Sequence, residues 1–109
     1  IKRLARREEC VIVGRCADYV LREQPVRLLR VFISAPEEQR IARKMEQEHL
    51  SHNQAAALVK KMDKQRKKYY ETYTGQVWGS AHCHDLCLDT GKYPINECVE
   101  LIATKFQTL

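Results

Sequence analysis

Four arginines and one aspartate have types and spacing that could do chemistry. Arg66 follows Asp63 by three residues, and Arg43 follows Arg40 by three. On a helix, that spacing puts both members of a pair on one face. An arginine offers a planar, permanently charged fork that meets phosphate oxygens two at a time. An aspartate beside it can aim the fork, or bind a polar group of a ligand. Arg15 follows the apolar run Cys10-Val11-Ile12-Val13-Gly14. It would stand at the C-terminal edge of a strand, where α/β sheets bind their ligands. The same patterns also describe ordinary surface charges. Asp63 and Arg66 could be a plain i,i+3 ion pair, and Arg40 and Arg43 a solvated face balanced by Glu37, Glu38, Glu46 and Glu48.

These groups border a strongly basic stretch. Residues 60–70 hold six cations and one carboxylate. The chain as a whole carries 19 Lys+Arg against 14 Asp+Glu, a formal net charge of +5. Outside the stretch the charges therefore balance, and the excess is local. A local positive field implies a local anionic partner: nucleic acid, a membrane surface or a nucleotide phosphate. The lysines at 60, 61, 64, 67 and 68 read as wrapping around the helix, mostly as solvating charges. Lys60 and Lys61 are the better candidates for a substrate contact.

The elements that must position these residues follow from the apolar pattern. The 109 residues make one domain or part of one, and 44% apolar residues suffice for a core. No apolar run approaches the length of a membrane span, and no signal-peptide pattern opens the chain. Five cysteines at irregular spacing predict reduced thiols in a cytoplasmic protein, with Cys10, Cys87 and Cys98 as small hydrophobes in apolar patterns.

Residues 2–9 read as the end of a helix, 10–14 as a buried parallel strand, and 17–23 as a short helix. Residues 28–33 read as a second strand. Ser34-Ala35-Pro36-Glu37 gives a capping-box pattern opening a helix to about residue 48. Ser51-His52-Asn53-Gln54 gives another, opening a long helix to about residue 73, with Ala55, Leu58, Val59 and Met62 as its apolar stripe and Thr74-Gly75 as its stop. Tyr69, Tyr70 and Tyr73 are expected to pack. A third strand spans 85–89, and a last helix spans 94–107 with Ile95, Cys98, Val99, Ile102 and Phe106 in register. Alternating strands and helices predict an α/β domain with a parallel sheet. Three strands are few for such a sheet, and the chain reads as the C-terminal part of a larger domain.

The order of these elements resembles the C-terminal half of bacterial cytidylate kinases. Val11-Ile12-Val13-Gly14-Arg15, then Leu29 to Glu38, then Arg40-Ile41-Ala42-Arg43-Lys44-Met45 carry the likeness. Asp63-Lys64-Gln65-Arg66 resembles their lid motif, and Asp85-Leu86-Cys87-Leu88-Asp89-Thr90 the strand after the lid. Tyr69-Tyr70, Thr74-Gly75 and Trp78-Gly79 look more like the cytidylate kinase-like relatives. The resemblance implies a P-loop nucleoside monophosphate kinase fold, here with three short strands of its parallel sheet and a helical-hairpin lid. Residues 1–35 and 80–109 would form a partial core, and 36–79 the lid. It implies ATP-dependent phosphoryl transfer to a CMP-like acceptor in the full-length parent, with ATP and Mg²⁺ as cofactors. Arg15 would hold the monophosphate, Asp63 and Arg66 would contact substrate, and Arg40 and Arg43 would reach ATP phosphates, with Arg66 and Arg40 catalytic. The phosphate-binding loop of the family does not occur in these residues, so the 109-residue chain is expected to be inactive. Cys16 follows Gly14-Arg15, where cytidylate kinases usually have Asp, and the nearest acid is Asp18.

Other readings follow from residues alone. The basic helix 60–68 could serve a nucleic-acid-binding or self-associating non-catalytic module. His82, Cys83, His84 and Cys87 could bind zinc, although their spacing matches no usual closed site and no metal ligand is expected. The favoured partners are nucleotide substrates rather than nucleic acid or a membrane. A homodimer through exposed sheet or lid surfaces is also expected.

Overall fold

The computed structural model describes residues 2–7, 9–14 and 16–109, the side chains of Arg3 and Leu4 excepted. Its elements run α1 (Lys2–Arg7), α2 (Ala17–Val20), β1 (Val31–Ser34), α3 (Glu37–Glu48), α4 (His52–Thr74), a 3₁₀ turn (Ala81–Cys83), β2 (Leu86–Asp89) and α5 (Ile95–Gln107). The architecture is mixed α/β, built on a two-stranded parallel sheet with Val31 opposite Leu86 and Ser34 opposite Asp89.

Both ends of the strand pair are fastened by further hydrogen bonds. Arg30 grips Asp85 through two nitrogens, Nε to Oδ2 at 3.2 Å and Nη2 to Oδ1 at 3.0 Å. The Arg30 backbone N–H also donates to Asp85 Oδ2 at 2.8 Å. This hydrogen bonding holds the Asp85 carboxyl below the usual aspartate range, against the opposing effect of its burial. At the far end, the Thr90 N–H donates to the Ser34 carbonyl at 2.8 Å. The chain then turns at Gly91, whose N–H donates to Asp89 Oδ1 at 2.8 Å. A Cβ at Gly91 would overlap the Pro36 ring, so this turn needs glycine for space.

Helices α3 and α4 form a hairpin around Ile41, Ala55 and Val59, all buried, with Met45, Leu50 and Ala56 packed against them. α3 ends at His49, which takes the left-handed conformation (φ 53°) and closes onto the Met45 carbonyl. Ser51 opens α4 with the full capping box: its Oγ accepts from the Gln54 N–H at 3.2 Å, and its own N–H donates to Gln54 Oε1 at 3.0 Å. Gly75, at φ 71°, ends α4 as expected.

Three expectations need correction. Residues 10–14 are not a strand among the described residues: Val11 is 92% and Val13 88% exposed. A β-branched run marks extended backbone, but a strand needs a neighbour, and β1 and β2 pair with each other instead. The sheet thus has two strands, not three. The first capping box also fails. Ser34 is the last residue of β1, and its Oγ reaches toward the Leu88 carbonyl at 3.4 Å; Pro36 stands at the N-cap of α3 without a side-chain cap. Lastly, all five cysteines are free, but Cys10 and Cys87 are exposed, while Cys98 and Cys16 are buried.

Candidate functional site

The hairpin brings Arg40, Arg43 and Lys44 of α3 to Asp63 and Arg66 of α4 around an open groove of about 240 Å³. Val59 and Met62 contribute its apolar wall. Four cations thus converge with one carboxylate. The Asp63 carboxylate accepts a hydrogen bond from, and is ion-paired to, Arg40 Nη2 across the hairpin. This corrects the expected pairing along the helix: Asp63 aims Arg40 of the other helix rather than Arg66. Both partners are about one-third exposed, so the pair is reachable by solvent and by an incoming anion. Lys44 lies 3.9 Å from Glu48. Among the described residues, no carboxylate comes within ion-pair distance of Arg43 or Arg66. The groove therefore carries uncompensated positive charge on two rigid helices. The sequence indicated Arg40, Arg43, Asp63 and Arg66, and the fold brings all four together. Arg15 lies outside the described residues.

A second cluster joins elements far apart in sequence. The buried Tyr70 hydroxyl donates to Asp18 Oδ2 at 2.7 Å, with the Gln76 amide 3.0 Å from the same hydroxyl. His84 Nε2 lies 3.5 Å from Asp18 Oδ2, and Nδ1–H donates to the Ser80 carbonyl at 3.0 Å. Burial, and then the hydrogen bond to Asp18, push the Tyr70 phenol well above its ordinary value. Burial, and then the Asp18 charge, raise the neighbouring Cys16 thiol, which is thereby kept from thiolate reactivity. Sequence reasoning missed this cluster. Its signal was only that Asp18 is the nearest acid after Gly14, and that one tyrosine of the Tyr69-Tyr70 pair must face inward at helical spacing.

The cluster also engages one member of the candidate zinc set. The His84 side chain is 6% exposed and bound to Ser80 and Asp18, and its ring meets Phe32 edge-on at 5.2 Å. His82 and Cys87 are exposed. No group of three potential metal ligands occurs among the described residues.

The long helix changes two further expectations. With residues 60–68 inside one continuous α4, Lys60, Lys61, Lys64, Lys67 and Lys68 fall within an arc of about 120° at 100° per residue. They form one face rather than wrapping around. Tyr70 packs, as expected, but Tyr69 and Tyr73 do not. They are 57% and 61% exposed, their rings nearly parallel at 13° with centroids 6.3 Å apart.

The profile of the cytidylate kinase-like family matches residues 1–92. The chain belongs to the cytidylate kinase-like family. No curated protein matches it significantly. A crystal structure of an uncharacterized protein from Eubacterium ventriosum ATCC 27560 is similar, with a TM-score of 0.92 and 31% identity over 99% of this chain. The chain spans 61% of that protein's length. Family membership relates the chain to kinases, transferases and nucleotide-binding proteins at a coarse level. No helix among the described residues is long and apolar enough to cross a membrane.

Proposed function

We propose that the α3–α4 hairpin is the lid of a nucleoside monophosphate kinase-like phosphotransferase that acts, in its full-length form, on ATP and a CMP-like acceptor. One observation carries this: Arg40, Arg43, Lys44 and Arg66 converge on one groove with a single carboxylate among them. Phosphoryl transfer asks the protein chiefly for positioning and for positive charge where the phosphate oxygens gather. Forked guanidiniums on two packed helices suit that task. Arg40 would be aimed by Asp63, while Arg43 and Arg66, which lack carboxylate partners among the described residues, would meet phosphate oxygens directly. Closing such a hairpin over the nucleotide would exclude water and bring these charges to the transferring group. Arg15 would hold the acceptor's phosphate.

The groove's donors fit the phosphates of ATP. They do not fit Mg²⁺, because cations dominate and the one carboxylate is engaged by Arg40. We therefore derive no step through the metal in these residues. Asp18, tied to Tyr70 and His84, is also committed elsewhere than to a nucleobase. Residues 1–35 and 80–109 would serve as part of the kinase core and 36–79 as its lid.

Isothermal titration with ATP tests the reading, first on the 109-residue chain and then on a longer form that includes the preceding region. Arg40→Ala and Arg66→Ala should each weaken binding at least tenfold. Unchanged affinity in both variants would refute the assignment. Self-association belongs to the same reading, since Val11, Val13 and Ile33 are exposed apolar residues and the two-stranded sheet has open edges. Light scattering should show dimers or larger species, and a monodisperse monomer would oppose this.

A further inference from the structure

We infer that Tyr69 and Tyr73 of α4 form a stacking platform for the base of the nucleotide whose phosphates the α3–α4 groove would take. The inference rests on the groove reading given above and adds a base subsite to it. Three observations carry it. First, both rings are more than half exposed and nearly parallel, 13° apart in plane with centroids 6.3 Å apart. Second, they stand on the groove's own side of α4. At 100° per residue, Val59, Met62, Asp63 and Arg66 of the groove wall occupy an arc of about 100°. Tyr73 falls inside that arc, and Tyr69 about 20° beyond its Met62 edge. The lysine face lies on the far side of the helix. Third, α3 stops short of them. It begins at Glu37, three residues before Arg40, and Arg40 meets Asp63 across the hairpin. In an antiparallel pair, its first residue is therefore about level with Arg66. Tyr69 and Tyr73 stand roughly 4.5 and 10.5 Å further along α4.

Charge and spacing select the occupant. One end of this stretch is Arg66, which has no carboxylate within ion-pair distance among the described residues. The other end is a pair of aromatic faces. A nucleoside triphosphate has matching halves, a polyanionic chain and a flat aromatic base joined by a sugar. Phosphates on Arg66 and Arg43 would leave the base one to two helical turns away, over the tyrosines. Ring faces stack on any base and read none of its hydrogen-bonding edges. A second copy of this chain could cover the rings, but with a net charge of +5 it is a poor match for the arginines beside them.

Isothermal titration of the 109-residue chain with ATP and with inorganic tripolyphosphate separates base from phosphates. Tyr69→Ala with Tyr73→Ala should weaken ATP binding about tenfold or more and leave tripolyphosphate binding unchanged. Tyr69→Phe with Tyr73→Phe keeps the rings and should keep the ATP affinity. GTP should bind within about threefold of ATP, because a stack reads no base edge. Helical circular dichroism confirms that each variant is folded. If the double alanine change leaves ATP affinity intact while Arg66→Ala still lowers it, the inference is overturned and the groove reading stands. If Arg66→Ala weakens neither ligand, the groove reading fails and the inference falls with it. If the double alanine change abolishes self-association in light scattering and spares ATP binding, the rings are a contact between copies, which also overturns the inference.

Discussion

Asp18 and Asp63 each bind a side chain on a distant element, but in opposite settings. Asp18 accepts from the buried Tyr70 hydroxyl and lies beside a His84 ring sealed from solvent. Asp63 meets Arg40 at the mouth of an open groove lined by further cations. The first arrangement is costly to open, because the Tyr70 and His84 side chains lie almost sealed from solvent and water cannot freely replace Asp18. The second costs little to rearrange, because water and other charges can replace either partner. The contrast teaches that position decides which carboxylate fastens the fold and which can yield to a ligand.

Asp18→Ala is the strongest way to break that contrast. It removes both the shorter of the two hydrogen bonds of the Tyr70 hydroxyl, leaving it Gln76, and the carboxylate beside His84 Nε2, and should cost about 2–3 kcal/mol in urea denaturation. A loss no larger than that of a surface ion pair would mean that the cluster fastens nothing. Gly91→Ala comes next. Its Cβ would press into the rigid Pro36 ring, and a shift of the midpoint equivalent to about 1–3 kcal/mol is expected. Ser51→Ala removes the α4 cap and should cost about 1 kcal/mol, read from the same denaturation curves. Arg40→Ala should cost less than about 1 kcal/mol of stability, while the ATP affinity proposed above falls much further. A large stability loss there would make the groove pair a second fastening and erase the comparison.

Two pH limbs sharpen it further. Asp85 titrates below the ordinary aspartate value of 3.8, because Arg30 favours its charged form. Its contribution is present above that value and is lost as pH falls through the folded pKa. Tyr70 titrates above the ordinary 10.0, because burial and Asp18 disfavour its phenolate. Its contribution is complete below pH 10.0 and is lost as pH rises toward the folded pKa. Asp85→Asn should flatten the acid limb of a stability profile, and Tyr70→Phe the alkaline limb.

Local signals were legible where a feature closes on itself within a few residues. Ser51 and Gln54 announce the α4 cap, and Gly75 its end, because both need only neighbouring backbone. The β1 and β2 segments, and the four groove residues, were also visible as patterns. What could not be read depends on partners far along the chain. Residues 10–14 have a strand's composition without a strand's neighbour. Ser34 has the type and spacing of a cap but is taken up by the sheet. Asp63 lies three residues from Arg66, yet bonds a residue 23 positions away. The Asp18–Tyr70 bond bridges 52 positions, beyond the reach of any periodicity.

The single tryptophan has a use that follows from its place. Trp78 stands just past the end of α4, edge-on to Phe32 of β1 with centroids 5.5 Å apart, and its backbone N–H is held by Glu71 of α4. Its indole thus sits at the joint between the hairpin and the sheet. Movement of α4 relative to β1 would change its surroundings, and its intrinsic fluorescence would report that movement without an added label.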